Sequence, residues 1–362
     1  MAVQVTNYQC PACTAPLQFA AGKGKLECEY CLSSFTVEEI ELQYGEINAK
    51  AAKATPDAYE QAMRQELWGA DADRMRFYSC PACGAELICE ETTAATSCPY
   101  CSNPTIVPGQ FEGVRRPDYV IPFKINKEQA VAALKQHCKG KPLLPKAFKT
   151  EHHIQEVKGV YVPFWLFDGE ADADVRYTAT RSTHVHRGDT EVITTHHYAL
   201  RRAGNVAFRG IPVDGSTKMP DEYMDAIEPY DYDELEPFAM AYLPGFLADK
   251  FDVDADESFG RAKERIYNSA LDAMRETVGF YETVIPIGSD VDVQRGETHY
   301  ALMPVWLLNT KYRGKDYLFA VNGQTGKMVG ELPVSWGRFW AWFAGLSAGL
   351  CALAGFFLLY VM

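Results

Sequence analysis

The sequence lacks the short motifs that mark the large enzyme classes. It contains no G-x-S-x-G nucleophile elbow, no dinucleotide-binding glycine fingerprint and no kinase or helicase motif. No Ser-His-Asp arrangement can be identified either. We therefore predict no catalytic residues and no bound organic cofactor. An enzyme whose site lies in the central part of the chain stays open as a third hypothesis.

Basic residues are also scarce, above all in the N-terminal third. The chain has 35 Lys and Arg against 48 Asp and Glu, a formal net charge of −13. Residues 1–113 hold seven basic and fifteen acidic side chains, a balance of −8. Binding to nucleic acid depends mainly on phosphate neutralisation by Lys and Arg. The charge balance therefore argues against nucleic acid as a partner.

The sequence also lacks a secretory signal. Residues 1–7 are uncharged and include Gln, Thr and Asn, without the basic start and apolar run of a signal peptide. We therefore expect the N-terminal bulk to lie in the cytoplasm, where thiols stay reduced.

Against this background, one cysteine pattern occurs twice. Each copy reads Cys-Pro-Ala-Cys, then fourteen residues, then Cys-x-Tyr-Cys. This spacing is typical of a four-thiolate zinc ribbon and predicts two structural Zn²⁺ ions. A disulfide framework needs an oxidising compartment, and a redox CxxC motif occurs singly at a helix start, so both alternatives are disfavoured. The predicted ligands are Cys10, Cys13, Cys28 and Cys31 in the first ribbon and Cys80, Cys83, Cys98 and Cys101 in the second.

Four thiolates fill a tetrahedral zinc site and leave no position for water or substrate. The predicted metal sites are therefore structural. The other three cysteines, Cys89, Cys138 and Cys351, have no paired spacing and are interpreted as small buried hydrophobic residues.

The sequence predicts a multidomain protein with five parts. Ribbon 1 occupies residues 1–40, a helical connector 41–76, and ribbon 2 residues 77–108. An α+β domain with an antiparallel sheet follows over 114–334, and a transmembrane helix over 338–361. Within the connector, Thr55 before Pro56 is a typical helix start.

The α+β prediction rests on strand and helix patterns. Segments 160–167 and 301–308 are rich in aromatic and branched residues and share the order Pro, apolar residue, Trp, Leu. Residues 172–186 and 191–200 alternate around a turn at 187–189 and predict a hairpin. Helices are predicted from Asn126 and, with Asp256 as cap, to about Val278.

Four histidines lie on the predicted hairpin. His184 and His186 are two residues apart, share a strand face and form half of a metal site in one interpretation. The other interpretation treats them, with His196 and His197, as solvated strand residues. We favour the second because no acidic residue stands at a fixed spacing from them.

The last part of the chain is apolar. Residues 339–361 form a run of 23 residues without a charged side chain, long enough to cross a hydrocarbon core of about 30 Å. Arg338 precedes the run and no basic residue follows it, which predicts a single pass with the N-terminal bulk inside. Gly345 and Gly349 form a GxxxG pattern, which favours close approach of a second copy or of another membrane helix. A buried helix of a soluble domain is the alternative.

Several motifs together resemble one bacterial family. They are the doubled CPxC…CxYC ribbons, GVYVPFWLF at 159–167, PVDGS at 212–216, IEPYD at 227–231 and the terminal apolar helix. The chain is similar over nearly its whole length to the membrane-anchored zinc-ribbon proteins of the transcription-factor-IIB type. Some members are described as primosomal-helicase-like or phage-replisome-organiser-like, which implies nucleic-acid work. Other relatives imply an adaptor beside envelope-stress proteins of the phage-shock and band-7 type.

The leading hypothesis is therefore a non-enzymatic adaptor at the cell membrane. It would present its ribbons and its α+β domain to membrane-associated proteins in an envelope-stress response. The alternative is a membrane-tethered nucleic-acid-binding protein of replication or transcription. The acidic ribbons favour the adaptor, whereas a basic surface patch would favour the alternative.

Overall fold

The computed structural model describes residues 10–13, 15, 17–20, 22–40, 42, 75–90, 98–101, 107–108, 115–145, 148, 154–313 and 315–360. The predicted connector over 41–76, with its helix start at Thr55, lies outside these residues except at its two ends. The predicted fold class is confirmed: two N-terminal four-cysteine clusters, a larger α+β region with a mainly antiparallel sheet, and one C-terminal apolar helix.

The strands and helices are numbered in chain order. The strands are β1 (Leu17–Ala20), β2 (Lys25–Cys28), β3 (Ser34–Phe35), β4 (Met75–Ser79), β5 (Glu86–Glu90), β6 (Val107–Pro108), β7 (Tyr119–Val120), β8 (Ile154–Arg187), β9 (Thr190–Asp214), β10 (Glu236–Pro237), β11 (Leu247–Asp249), β12 (Thr283–Tyr312), β13 (Lys315–Asn322) and β14 (Met328–Gly330). The helices are α1 (Lys127–His137), α2 (Asp221–Ile227), α3 (Ala255–Glu276) and α4 (Trp336–Tyr360).

The first ribbon forms a small antiparallel sheet of its own from β1, β2 and β3. Gly22 and Gly24 turn the chain between β1 and β2 with φ values of 87° and 63°, which glycine adopts without steric cost. The backbone N–H groups of Phe19 and Gly22 donate to the carbonyl oxygens of Pro244 and Phe123, each over 3.2 Å. The first ribbon is thus hydrogen-bonded to the surface of the α+β region.

The second ribbon is joined to the central sheet itself. β5 pairs antiparallel with β11, with Leu87 opposite Asp249, and β11 runs parallel to the start of β8. Beside this pairing, the Lys250 ammonium donates to the Glu86 carboxylate over 2.8 Å. The strands of the second ribbon therefore continue the sheet of the α+β region.

A long three-stranded arm dominates the α+β region. β8 pairs antiparallel with β12 on one side and with β9 on the other. β8 and β9 are joined at Gly188 and Asp189, so the predicted hairpin and its turn are confirmed. Both strands are longer than predicted, because β8 has 34 residues and β9 has 25.

Helix α3 covers one face of this arm. Ala171, Val175 and Tyr177 alternate inward along β8 and are buried, and Ile266 and Ala270 are buried on the facing side of α3. This alternation has the period of two that a half-buried strand requires. Beyond Ala179 the inward pattern ends, and most residues of the hairpin tip are exposed.

The two Pro-x-Trp-Leu segments pair with each other in the middle of the sheet. Pro163 of β8 lies opposite Leu302 of β12, and Pro304 lies opposite Tyr161. Each tryptophan indole donates to a backbone carbonyl: Trp165 to Val253 over 2.9 Å and Trp306 to Ile125 over 2.8 Å. Because a buried indole N–H needs an acceptor, these two bonds fix the ends of neighbouring loops to the sheet.

Capping residues set the helix starts. Asn126 and Gln129 form a reciprocal capping box at α1, as the sequence predicts. At α3 the cap is Asp254, whose carboxylate accepts from the N–H groups of Asp256 and Glu257. The predicted cap at Asp256 is therefore wrong by two residues. Asp254 is the cap instead, because its carboxylate lies within hydrogen-bond distance of the first free N–H groups of the helix.

Helix α4 begins at Trp336, three residues before the predicted apolar run. Its start is bonded to the loop after α1: Ser335 N–H donates to the Leu143 carbonyl over 2.9 Å, and Arg338 donates to the Leu144 carbonyl over 2.6 Å. Within the described part of the chain, α4 is the only helix long and apolar enough to cross a membrane. None of its apolar window at 336–356 is buried against the rest of the protein.

Candidate metal centres

Two turns bring the four sulfurs of the first centre together. Cys10 Sγ lies 3.4 Å from Cys31 Sγ, and Cys13 Sγ lies 3.4 Å from Cys28 Sγ. Cys10 N–H donates to the Ala15 carbonyl over 2.7 Å, which closes the first turn. The second turn is closed in the same way, by Cys28 N–H and the Ser33 carbonyl over 2.9 Å.

The second centre repeats this geometry. Cys80 Sγ lies 3.6 Å from Cys101 Sγ, and Cys83 Sγ lies 3.6 Å from Cys98 Sγ. Cys80 N–H donates to the Ala85 carbonyl over 2.9 Å. The repeated spacing in the sequence therefore produces one repeated local structure.

Each cluster is a closed set of four ligand atoms. In each, all four sulfurs lie within 4.8 Å of one another, so each cluster could hold one metal ion. The sulfur separations exceed the length of an S–S bond, about 2.05 Å, by more than 1 Å, so the cysteines are not disulfide-bonded. The structure thus gathers all eight predicted ligands into the two predicted groups.

The residue after a CxxC turn has a left-handed backbone at both such positions that the structure describes. Gly84 follows Cys83 with φ 70°, and Leu32 follows Cys31 with φ 60°. Glycine adopts this conformation freely, whereas a residue with a Cβ is strained there by about 1–2 kcal/mol. The first ribbon therefore holds an exposed leucine in a strained turn beside a metal ligand.

Protonation of the thiols depends on their surroundings. A hydrogen bond to the Ser33 hydroxyl is the largest cause that lowers the pKa of Cys31, to about 6. At the second centre, burial raises the pKa of Cys83 and Cys98. A bound cation has to displace the protons from such buried thiols, so metal binding at the second centre releases protons.

The two ribbons differ at one repeated position. Tyr30 lies between Cys28 and Cys31, and Tyr100 lies between Cys98 and Cys101. Tyr30 is 77% exposed, whereas Tyr100 is 8% exposed and its hydroxyl donates to Asp249 Oδ2 over 2.6 Å. The same motif therefore faces solvent in the first ribbon and the protein interior in the second.

Asp249 is the centre of a buried polar contact beneath the second ribbon. Its Oδ2 also accepts from the Ser216 hydroxyl over 2.6 Å, and its Oδ1 is buried without a hydrogen-bond partner among the described residues. Burial raises the pKa of Asp249 to about 7, although both hydroxyl donors lower it. The Pro99 carbonyl, one residue before Tyr100, accepts from the Asn309 side chain over 2.8 Å. The sequence did not single out Asp249, because a lone acidic residue in a three-residue strand carries no local pattern.

The four candidate histidines do not form a metal site. His184 Nδ1 lies 2.8 Å from Glu191 Oε1, and His186 Nε2 lies 3.9 Å from the same oxygen. His196 and His197 lie farther along β9, and all four are exposed. Among the described residues, only the two cysteine clusters bring three or more potential ligands together. The favoured interpretation as solvated strand histidines agrees with this placement.

The three remaining cysteines belong to neither cluster. Cys89 and Cys138 are buried, as the sequence predicts. Cys351 is exposed on α4, so the expectation of a buried position is wrong within this chain, because the apolar part of that helix is not buried by the described residues.

Comparisons with known proteins give one full-length match. The chain is 34% identical over 350 residues to "Uncharacterized protein YdjG" of Bacillus subtilis (strain 168), and the match covers 95% of each chain. No family model matches the sequence. No solved structure matches it either.

Proposed function

The chain belongs to the same protein family as YdjG of Bacillus subtilis, and we propose that it is a non-enzymatic adaptor held at the membrane by α4. In this function the first ribbon binds a protein partner, and the second ribbon supports the α+β region. The contrast between the exposed Tyr30 and the buried Tyr100 carries the proposal.

Zinc is the metal that we propose for both centres. Four thiolates in tetrahedral array suit Zn²⁺ or an iron–sulfur site. Ligands 2.3 Å from a tetrahedral zinc ion lie about 3.8 Å from one another. The observed pairs at 3.4 and 3.6 Å are close to that value. Zinc would fix each pair of turns and supply no chemistry, because four protein ligands leave no open position.

Membrane anchoring by α4 is the second part of the proposal. The helix has 25 residues, and about 20 are needed to span a bilayer. Trp336, Trp340 and Trp342 lie at its first turns, where aromatic rings prefer the interface. Arg338 stands at the same end, which favours a cytoplasmic N-terminal bulk.

The partner-binding part of the proposal rests on the surface of the first ribbon. Leu32 is 85% exposed in the same ribbon as Tyr30, and Leu42, at the start of the connector, is 73% exposed. An exposed tyrosine in a small module is typical of a binding surface, since aromatic anchors contribute much of the affinity of an interface. The second ribbon has its tyrosine inside the protein instead and cannot offer the same surface.

Proteins of the phage-shock and band-7 type are the first candidates for the partner. They are the class that the resemblance to membrane-anchored zinc-ribbon proteins implies. The acidic balance of −8 over residues 1–113 supports a protein partner over nucleic acid.

Affinity purification from detergent-solubilised membranes tests the proposal. Tyr30→Ser with Leu32→Ser should abolish capture of a specific protein that the wild-type chain retains. Phe280→Ser with Ile287→Ser is the matched control, because these residues are also more than half exposed, at 87% and 62%, but lie outside the ribbons. Capture that survives the ribbon substitutions would contradict the proposed surface.

A further inference from the structure

A cavity of about 460 Å³ opens where α4 leaves the α+β region. Its walls are the turn between β12 and β13 and the segment 333–337 that leads into α4. Tyr312, Arg313, Lys315, Tyr317 and Trp336 line it. No ligand of either metal centre contributes to it.

The cavity carries two cations. The Arg313 guanidinium lies 5.5 Å from the centre of the Tyr312 ring, and Lys315 Nζ lies 5.3 Å from the centre of the Tyr317 ring. Neither cation takes part in an ion pair between residues that the structure describes. The chemistry that complements this lining is an anion with several oxygen acceptors, such as a phosphate group.

The walls of the cavity are held in place from both sides. Phe148 packs edge-on against the rings of Tyr312 and Tyr317, with centroid distances of 5.8 and 5.7 Å. On the other wall, the bond from Ser335 N–H to the Leu143 carbonyl fixes the start of α4. The cavity is therefore formed before a ligand binds, which lowers the entropic cost of binding.

An apolar surface continues from the cavity along α4. Trp336, Trp340 and Phe343 are 67%, 58% and 55% exposed. A free phosphate ion makes no favourable contact with an apolar surface, whereas the acyl chains of a lipid would cover it. The position of the cations beside an apolar helix thus favours a lipid over a soluble phosphate as the ligand.

We propose that this cavity binds the phosphodiester headgroup of an anionic phospholipid, with Arg313 and Lys315 at the phosphate and the acyl chains against the aromatic side of α4. The inference rests on the proposed membrane anchor. An exposed ion pair contributes up to about 1 kcal/mol, a factor of about five in affinity, so two contribute up to about 25-fold.

Titration of the full-length chain in a non-ionic detergent tests this inference, with tryptophan fluorescence as the readout. Short-chain phosphatidylglycerol, short-chain phosphatidylcholine and inorganic phosphate are compared as ligands. Phosphatidylglycerol should bind at least tenfold more tightly than either of the others. Arg313→Gln with Lys315→Gln should weaken phosphatidylglycerol binding, by up to about 25-fold.

Arg176→Gln with Lys263→Gln is the matched control, because both residues are exposed cations outside the cavity lining. This control should bind phosphatidylglycerol as the wild type does. Equal binding of phosphatidylglycerol by the cavity variant and the wild type would overturn the inference. Inorganic phosphate that binds as tightly as phosphatidylglycerol would overturn it too, in favour of a soluble phosphate.

Extraction of cell membranes with alkaline carbonate tests the anchor separately. A chain that stays in the membrane but shows no preference for phosphatidylglycerol overturns the lipid site alone. A chain that carbonate removes overturns both the anchor and the lipid site.

Discussion

Replacing Tyr100 by Phe removes one hydroxyl group from the contact between the second ribbon and the central sheet. The hydroxyl donates over 2.6 Å to Asp249, a carboxylate that is 1% exposed. A hydrogen bond to a charged group contributes about 1.5–3 kcal/mol to stability, and the loss leaves an acceptor without its donor. At pH 8, where Asp249 is ionised, we expect Tyr100→Phe to lower the free energy of unfolding by about 2–3 kcal/mol.

The repeated motif supplies a matched control. Tyr30→Phe removes the same hydroxyl at the same motif position, but from a side chain that is 77% exposed. Surface substitutions of this kind usually change stability by less than about 0.5 kcal/mol. Both variants keep all eight cysteines, so any difference in stability between them is not a difference in metal ligands.

Thermal unfolding of the full chain in detergent, followed by near-ultraviolet circular dichroism, measures the effect. For a region of about 150–250 residues, 1 kcal/mol corresponds to about 2–4 °C in Tm. Tyr100→Phe should therefore lower Tm by about 4–12 °C, and Tyr30→Phe by about 2 °C or less. Equal Tm values for the two variants would refute the claim that the second ribbon is fixed to the sheet through Asp249.

Metal analysis of freshly purified, reduced protein should find two zinc equivalents, and Cys28→Ser should leave about one, because ligand binding and ribbon folding share one free energy; one equivalent or none in the wild type would exclude two zinc ribbons. Folding raises the pKa of Asp249 from 3.8 to about 7, so the folded state keeps a proton that the unfolded state has lost. Stability measured by denaturant titration should therefore fall as the pH rises from 5 to 7, by about 1 kcal/mol per pH unit, and Asp249→Asn should remove this slope. A Cβ added at Gly345 or Gly349 would meet nothing within 4 Å, so both positions are open to a second helix. A Gly345→Ile, Gly349→Ile double substitution should then weaken association in a membrane two-hybrid assay without changing insertion, and unchanged association would contradict helix pairing. Protease added to intact spheroplasts should leave the ribbons uncut, whereas digestion would contradict a cytoplasmic N-terminal bulk.

The metal centres could be predicted from the sequence because their information is local. Eight cysteines at fixed spacing specify four turns, two in each ribbon. The spacing alone groups the cysteines into two clusters of four. Asn126 and Gln129 specify the start of α1 in the same way, through four consecutive residues.

The attachment of the second ribbon could not be predicted, because it is non-local. β11 has three residues, Leu247–Asp249, and no alternation that would mark it as a strand. Its partners lie in β5 and β8, at least 86 residues away along the chain. The Cys-x-Tyr-Cys motif is the same around Tyr30 and Tyr100, so only the tertiary contacts decide which tyrosine is buried.

The full length of the arm could not be predicted from the sequence for a related reason. The sequence predicts a hairpin over 172–186 and 191–200, where alternation is clear. β8 and β12 continue through register shifts between Pro286 and Gly288 and between Arg295 and Thr298. A bulge interrupts the period of two without ending the pairing. The alternation in the sequence is therefore shorter than the strand.

Hydrogen bonds at the start of α4 join this helix to the loop after α1, so in the proposed membrane anchor a tilt of the helix would be passed to the α+β region. The hydrogen bonds from Ser335 and Arg338 to the carbonyl groups at 143–144 are 2.9 and 2.6 Å long. The uncharged part of the helix, 339–360, is about 33 Å long, and an apolar stretch longer than the hydrocarbon core of about 30 Å is accommodated in part by tilting. The arm from Gly169 to Arg187 extends about 60 Å at 3.3 Å per residue. A rotation of the arm by 10° would displace its tip relative to its base by about 10 Å, so in the proposed anchor the tilt of α4 would affect the height of the hairpin tip above the bilayer.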